Sequence, residues 1–170
     1  FAYIIEKCHK ENMLVHAWIN PYRVSTATVN IDEIDKNSPA YKWLHDENTD
    51  NDLGVCFSNG IYFNPASQEV RRLVLDGIRE LVAKYSVDGI HFDDYFYPSG
   101  YPLAAGETRD GVQANARRSA VNDMVRRVST AVKNVNLTYG KSVKFGISPP
   151  GIWKNSSSDI TGSNTSGNEA

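Results

Sequence analysis

The stretch Val87-Asp-Gly-Ile-His-Phe-Asp-Asp-Tyr-Phe-Tyr-Pro98 decides the fold and marks the candidate site. Its Asp-Gly pair is a turn signal after a helical run, and the next residues predict a short strand whose side chains alternate between two faces. Ile90 and Phe92 fall on one apolar face, whereas His91 and Asp93 fall on the other. Charged groups at the end of an apolar strand are costly to bury, so they need hydrogen-bonding partners or a functional role.

A tyrosine-rich segment follows this strand at once, with the aromatic residues Tyr95, Phe96, Tyr97 and Tyr101. The flat face of an aromatic ring suits the C–H face of a sugar ring. A strand that ends in acid and runs into such a segment indicates the floor of a carbohydrate cleft. We therefore expect a carbohydrate polymer as the partner of this chain.

The overall composition excludes several other partners. The chain has 170 residues, a formal net charge of −2 and a pI near 6.1, which gives no reason to expect nucleic acid or an acidic membrane surface. No apolar run approaches the roughly 20 residues of a membrane span. Basic residues such as Arg117 are spread along helices and are interpreted as solvated helix faces. Cys8 and Cys56 are either free thiols or one disulfide, and we expect no cofactor.

The hydrophobic period alternates between helix and strand along the chain. The predicted elements are a helix over 1–12, a strand over 13–20, a long connection without clear period over 24–63, a helix beginning at Asn64-Pro65, the strand after Val87, a helix from about Val112 to Gly140, and a strand over 143–148. Asn64 is predicted as the helix cap because proline suits the first helical position. Strands that alternate with long helices predict βαβ units and a parallel sheet.

All three predicted strands have a second face that turns polar toward the C-terminal end, at Asn20, Asp93 and Ser148. Strands of an open doubly wound sheet are apolar on both faces. A polar face suits the lumen of a (β/α)8 TIM barrel, whose site lies at the C-terminal rim. A barrel needs about 250 residues, so three strands predict only the central portion of one.

We expect this partial barrel over residues 1–155 and a polar loop, with a truncated end, over 156–170. Three strands cannot close a barrel, and open sheet edges are prone to pair with other chains. The remaining barrel strands or another copy of the chain are therefore expected to cover the edges.

Asp93 and Asp94 are the catalytic candidates. In a glycosidase, one carboxylate attacks or activates water at the anomeric carbon while a second acid protonates the leaving oxygen. Asp93 lies on the predicted lumen face, although it can instead tie His91 or Arg23 into a polar network. Asp94 points to the other face unless the strand bulges, and a role as a cap or loop anchor competes with catalysis.

The substrate-binding candidates are polar or aromatic residues at the strand ends and in the loops that follow them: His16, Trp18, Asn20, Tyr22, Arg23, His91, Tyr95, Tyr97, Ser148 and Trp153. The histidines suit sugar hydroxyls better than a metal ion, because no His-Glu-x-x-His pattern is present. Arg23 can orient Asp93, bind an acidic substituent or form a surface ion pair. For each aromatic residue, packing is the alternative to stacking on a sugar.

Three blocks resemble the bacterial glycosyl-hydrolase-like barrel family of the YngK and DigH type: His16-Ala-Trp-Ile-Asn-Pro-Tyr-Arg23, Asp88-Gly-Ile-His-Phe-Asp-Asp-Tyr-Phe-Tyr-Pro98 and Phe145-Gly-Ile-Ser-Pro-Pro-Gly-Ile-Trp-Lys-Asn155. The resemblance implies a TIM barrel in an envelope-associated or secreted protein, often a lipoprotein. It also implies hydrolysis of glycosidic bonds, with peptidoglycan glycan strands as the substrate of some members.

The run from Gly89 to Asp93 is also similar to the fourth-strand motif of α-amylase-like barrels, in which a basic residue and a nucleophilic Asp stand two apart. This similarity favours Asp93 over Asp94. The amylase pattern implies a Glu acid at the end of the next strand, where this chain has Ser148-Pro149. The leading hypothesis is a glycoside hydrolase. A non-catalytic glycan-binding barrel and a metal- or phosphate-dependent enzyme on the same fold are its rivals.

Overall fold

The fold is an α/β arrangement, seen in a computed structural model that describes residues 1–98, 101–108 and 110–149. The α-helices are α1 (Ala2–Lys10), α2 (Pro39–Trp43), α3 (Gln68–Lys84) and α4 (Val112–Tyr139). The strands are β1 (His16–Ile19), β2 (Arg23–Ser25), β3 (Val55–Phe57), β4 (Ile61–Phe63), β5 (Gly89–Phe92) and β6 (Lys144–Ile147). No helix of this described part is long and apolar enough to cross a membrane.

The main sheet is parallel, with the order β1-β5-β6. Gly89 pairs with His16 on one side and with Lys144 on the other, and the register continues without a break. Long connections that contain α3 and α4 join the three strands, as parallel pairing requires. The predicted parallel three-stranded sheet with intervening helices is therefore confirmed.

The apolar face of the sheet forms the core with α3 and α4. Ile90 and Phe92 on β5 are fully buried, and the Phe92 ring meets the Phe145 ring edge-on at 5.2 Å. Ile78 of α3 and Val128 of α4 belong to the same cluster. Burial of each such side chain contributes about 1.5–3 kcal/mol to stability. Because side chains alternate along a strand, burial of this face determines which residues lie on the opposite face of the sheet.

The predicted start of α3 at Asn64-Pro65 is wrong. The side chain of Asn64 instead accepts a hydrogen bond from the Ala66 N–H at 3.0 Å, which forms a turn before the helix. Ser67 is the true cap, because its hydroxyl accepts the Val70 N–H at 3.4 Å. The predicted end of α4 is confirmed, since Gly140 ends the helix in the left-handed conformation, with φ of 63°.

The connection over 24–63 contains regular structure that the sequence analysis missed. Strands β2, β4 and β3 form an antiparallel sheet in that order, and Ala40, Val55 and Ile61 form a small core beneath it. The signal was the Asn59-Gly60 pair between two short apolar runs, a common hairpin pattern. This small sheet lies between the end of β1 and the start of α3, on the side of the polar strand ends.

The two cysteines are free thiols, which decides between the alternatives left open above. Cys8 lies half-buried on α1, whereas Cys56 is buried in β3. Burial raises the pKa of the Cys56 thiol to about 12. The thiol is therefore protonated at neutral pH and is a poor nucleophile.

Lys141 joins α4 to the end of α3. Its Nζ donates hydrogen bonds to the carbonyl oxygens of Val82, Ala83 and Tyr85 at 2.5, 2.9 and 3.0 Å. The last carbonyls of a helix have no partner within the helix, so this ammonium replaces the missing donors. The contact fixes α3 just before the chain enters β5.

Replacing Lys141 with methionine is expected to destabilise the full-length protein by about 1–3 kcal/mol, because three partly buried carbonyls lose their donor. Urea unfolding measures the change. Lys84→Met is the matched control: Lys84 forms an exposed ion pair with Glu80 on the same helix, and loss of such a pair costs less than about 1 kcal/mol. Equal losses in the two variants would contradict the capping role.

Asp88 joins the start of β5 to β1 and α1. Its Oδ2 accepts the Val15 N–H at 2.7 Å and lies 2.8 Å from His9 Nε2. The hydrogen bond from Val15, followed by the interaction with His9, lowers the pKa of Asp88. A carboxyl whose pKa is lowered by folding adds stability at higher pH and loses it as the pH falls through the folded pKa.

We expect Asp88→Asn to reduce the free energy of unfolding at pH 7 and the difference from the parent to shrink as the pH falls below about 4, the ordinary range of a carboxyl. Urea unfolding between pH 3 and pH 7 measures this. His9→Gln, which keeps a neutral side chain of hydrogen-bonding type, separates the contribution of His9. A difference that stays constant with pH would contradict the role of the Asp88 charge.

Candidate active site at the strand ends

The polar face of the main sheet carries its side chains in rows set by the strand register. Trp18, His91 and Gly146 are paired across β1, β5 and β6. The next row on this face contains Asn20, Asp93 and Ser148, because backbone hydrogen bonds from Asp93 to Ile19 and from Ser148 to Phe92 extend the ladder. Polar groups from three strands therefore meet at one end of the sheet.

Two glycines lie on this polar face and differ in what surrounds them. A Cβ on Gly89 would lie 2.8 Å from atoms of the His16 ring, so the ring occupies the space that this glycine leaves. A Cβ on Gly146 would lie 3.7 Å from His91 Nδ1, which is an ordinary contact. His16 itself lies four residues before Asn20, about 13 Å along the strand, and is therefore remote from the row of Asp93.

Asp93 is oriented by a neighbouring strand and by its own backbone. The indole Nε1–H of Trp18 on β1 donates to Asp93 Oδ2 at 3.1 Å, and the Asp94 N–H donates to Asp93 Oδ1 at 3.0 Å. The sequence analysis named His91 and Arg23 as the possible network partners of Asp93. The structure gives Trp18 this position instead.

Asp94 lies at the same strand end but is engaged differently. Its backbone is left-handed, with φ of 48°, which breaks the alternation of the strand and turns the side chain toward β1. There Asp94 Oδ2 forms an ion pair with the Arg23 guanidinium and lies 3.5 Å from Asn20 Nδ2. Of the alternatives for Arg23, the structure contains the ion pair, and its partner is Asp94 rather than Asp93.

The His91 ring is fixed by β6. Its Nε2 lies 2.5 Å from the Ser148 hydroxyl oxygen, and the direction of this hydrogen bond depends on the histidine tautomer. Ser148 stands where the amylase-like pattern has an acid. A serine and a histidine in contact can supply hydrogen bonds to sugar hydroxyls, but neither is the carboxylic acid that the amylase-like pattern has at this position.

Three predicted aromatic ligands lie in the core instead of on the open rim. Tyr22 is 1% exposed, and Tyr95 and Tyr97 are each 5% exposed. Burial raises the pKa of all three hydroxyls, that of Tyr97 to about 12. All three rings pack in the main apolar core in this structure, and their contact with substrate stays a prediction. Trp153 lies outside the described residues.

Arg117 was predicted to lie on a solvated helix face, and this prediction is wrong. It is 7% exposed and donates to the carbonyls of Tyr101 and Pro102 at 3.0 and 2.5 Å. Its guanidinium also lies over the rings of Tyr97 and Tyr101, at 5.3 and 4.7 Å from their centres. The missed signal was the spacing: Arg117 falls on the buried stripe of α4 between Ala114 and Val121.

The chemistry available at this site is that of a carboxylate beside hydrogen-bonding groups and one exposed aromatic ring. The structure brings together seven of the predicted residues: Trp18, Asn20, Arg23, His91, Asp93, Asp94 and Ser148. Within 1–98, 101–108 and 110–149, no group of three or more His, Cys, Asp or Glu side chains is placed to hold a metal ion.

Comparison with known proteins identifies the family. The family described as glycosyl hydrolase-like 10 matches residues 1–166. The chain belongs to this family. The sequence resemblance described above is therefore confirmed, and glycosyl hydrolase-like 10 is used below as the family name.

Two curated relatives are similar to nearly the whole chain. Glycosyl hydrolase YngK of Bacillus subtilis (strain 168) is 35% identical, over 96% of this chain and 32% of that protein. Glycosyl hydrolase DigH of Escherichia coli (strain K12) is 33% identical, over 97% of this chain and 39% of that protein. The chain thus spans about a third of the length of the curated relatives that it matches.

The glycine pair on the polar face gives a direct test of the side-chain arrangement. Gly89→Ala is expected to displace the His16 ring and to destabilise the protein by about 1 kcal/mol through overpacking. Gly146→Ala, the matched substitution on the neighbouring strand, is expected to cost less. NMR of the histidine rings and urea unfolding report the two effects. A cost for Gly89→Ala that persists in a His16→Ala background would contradict the contact.

Proposed function

We propose that this chain forms part of a glycoside hydrolase in which Asp93 is the nucleophile or general base. The observation that carries the proposal is the position of Asp93 at the C-terminal end of the central parallel strand, with both carboxylate oxygens oriented by hydrogen bonds. Membership of the glycosyl hydrolase-like 10 family supports a role on glycosides. The names of the relatives YngK and DigH point the same way.

We also propose that the parallel sheet belongs to a (β/α)8 barrel. The strands lie side by side in the order in which the chain reaches them, as in a barrel, and the candidate site lies at their carboxyl ends. In the described part of the chain, the main core packs the apolar face of the sheet against the helices. The opposite face, with His16, Trp18 and His91, would then line the lumen.

In the proposed reaction, water is added across a glycosidic bond. The bond between the anomeric carbon and the leaving oxygen breaks, the carbon gains the oxygen of water, and the leaving oxygen gains a proton. Asp93 would attack the anomeric carbon or remove a proton from water. Asn20, His91 and Ser148 would position sugar hydroxyls from the neighbouring strand ends.

The proton donor for the leaving oxygen is assigned to another part of the full-length protein. Asp94 is a poor candidate, because its carboxylate is held in an ion pair with the Arg23 guanidinium. Ser148 occupies the end of the next strand, where an acid would otherwise act. We therefore expect a second carboxyl group on a strand beyond this chain.

A polysaccharide of the cell envelope is the substrate that we propose, with the glycan strands of peptidoglycan as the first candidate. This follows the family resemblance, and an envelope-associated or secreted location is part of the same proposal. The remaining strands of the barrel, or another copy of the chain, would cover the edges of β1 and β6.

A non-catalytic glycan-binding protein is the second candidate function. One observation favours it: of the two adjacent carboxyl groups at the site, Asp94 is engaged in an ion pair with Arg23. A binding protein needs the exposed ring of Trp18 and the polar groups beside it, but it needs no proton donor. The two candidate functions differ because a hydrolase releases sugar from the glycan, whereas a binding protein does not.

Asp93→Asn is expected to lower the release of reducing sugar by full-length protein roughly a thousandfold or more, since a nucleophile or base cannot be replaced by an amide. Asp94→Asn is the matched control, because asparagine also tolerates the left-handed backbone. It is expected to lower activity about tenfold or less. The substrates are a panel of glycans that includes peptidoglycan strands freed of peptides.

The two variants also separate the candidate functions. Release by the parent, lost in Asp93→Asn, establishes a hydrolase centred on Asp93. Binding of glycan by the parent and both variants, without release from any glycan in the panel, would establish the binding protein. A larger loss of activity in Asp94→Asn than in Asp93→Asn would contradict the assignment and would indicate Asp94 as the nucleophile or base.

A further inference from the structure

The indole of Trp18 combines two features at the site. Its Nε1–H donates to Asp93 at 3.1 Å, yet the side chain is 58% exposed. We propose that Trp18 is a positioning residue whose N–H holds the Asp93 carboxylate in place. The exposed face of its ring is the platform for a pyranose ring, and Asp93 acts at the anomeric carbon of that same ring. The proposal rests on the role of Asp93 proposed above.

The strand register makes this contact possible. Trp18 on β1 is paired with His91 on β5, so Asp93 lies one strand across and two residues further along. Long aromatic side chains span such a diagonal in a sheet. Asn20 lies directly opposite Asp93 and is directed to Asp94, whereas Trp18 approaches the Asp93 carboxylate from the row below.

Trp18 has no competitor for this role among the side chains in the described part of the chain. The hydrogen bonds to the Asp93 carboxylate come from the Trp18 indole and from the Asp94 backbone N–H. Arg23, the guanidinium at the same strand end, is directed to Asp94. An N–H bond to a carboxylate is charge-assisted, so it orients the carboxylate as well as the indole.

The exposure of the ring favours a sugar. The neighbour of Trp18 in its row is His91 on β5, which is proposed above to position a sugar hydroxyl. Ordinary packing leaves most large aromatic side chains highly buried, and Tyr95 and Tyr97 follow that rule in this protein. Among the described residues, Phe1, Tyr3, Phe57 and Tyr139 are exposed as well, but Trp18 is the exposed aromatic residue that donates a hydrogen bond to the candidate carboxylate. A pyranose ring, with polar edges and an apolar C–H face, matches this surface.

Trp18→Phe and Trp18→Ala in the full-length protein separate the two parts of the proposal. Phenylalanine keeps a ring but removes the N–H, so kcat is expected to fall about 10- to 100-fold through misplacement of Asp93, with KM within about twofold of the parent. Alanine removes both, so kcat falls similarly and KM rises. Trp43→Phe is the matched control, because Trp43 packs against Phe63 in the small sheet; it is expected to change neither constant.

A readout that does not depend on turnover completes the experiment. The indole N–H resonance of Trp18 in ¹⁵N-labelled protein is expected to move in Asp93→Ala, while that of Trp43 stays. If the parent binds glycan without turnover, the hydrolase proposal fails, but the platform still predicts that Trp18→Phe binds like the parent and Trp18→Ala binds weakly. Any of three results overturns the positioning role. These are an unchanged kcat in Trp18→Phe, an equal loss of kcat in Trp43→Phe, and a Trp18 indole resonance that does not move in Asp93→Ala.

Discussion

The register between β1, β5 and β6 is the constraint on which the candidate site depends. Side chains alternate along a strand, so a slip of one residue between two strands would exchange their buried and open faces. Burial of Ile90 and Phe92 against the helices makes such a slip costly. Burial of the apolar face of β5 therefore positions the side chains on its polar face. The contact between Trp18 and Asp93 depends in this way on core packing on the opposite side of the sheet.

The ends of the strands are held by different means. At the amino ends, Asp88 and Lys141 bind backbone groups of neighbouring elements, and these contacts determine where β5 begins. At the carboxyl ends, side-chain contacts join indole to carboxylate, guanidinium to carboxylate and imidazole to hydroxyl, while backbone N–H groups donate to Asp93 and Asn20. The contacts at the amino ends thus hold main-chain segments together, whereas those at the carboxyl ends orient the functional groups of the candidate site.

Local pattern was sufficient to predict the three strands of the main sheet, the faces of Ile90 and Asp93, and the stop at Gly140. These depend on neighbours within a few residues. Pattern was insufficient where burial depends on distant parts of the chain: Arg117 is covered by Tyr97 and Tyr101, which lie in a loop well before it. The hairpin at Asn59-Gly60 was missed for another reason, since strands of three residues are too short to show a period.

The left-handed backbone of Asp94 has a consequence for how natural variation at this site is to be interpreted. Only glycine, asparagine and aspartate adopt that conformation at little cost. A position restricted to those three residues among homologues would reflect the shape of the main chain and would carry no information about proton transfer. Strict invariance of aspartate would instead point to the carboxylate itself, because glycine and asparagine would keep the backbone shape but lose the ion pair with Arg23.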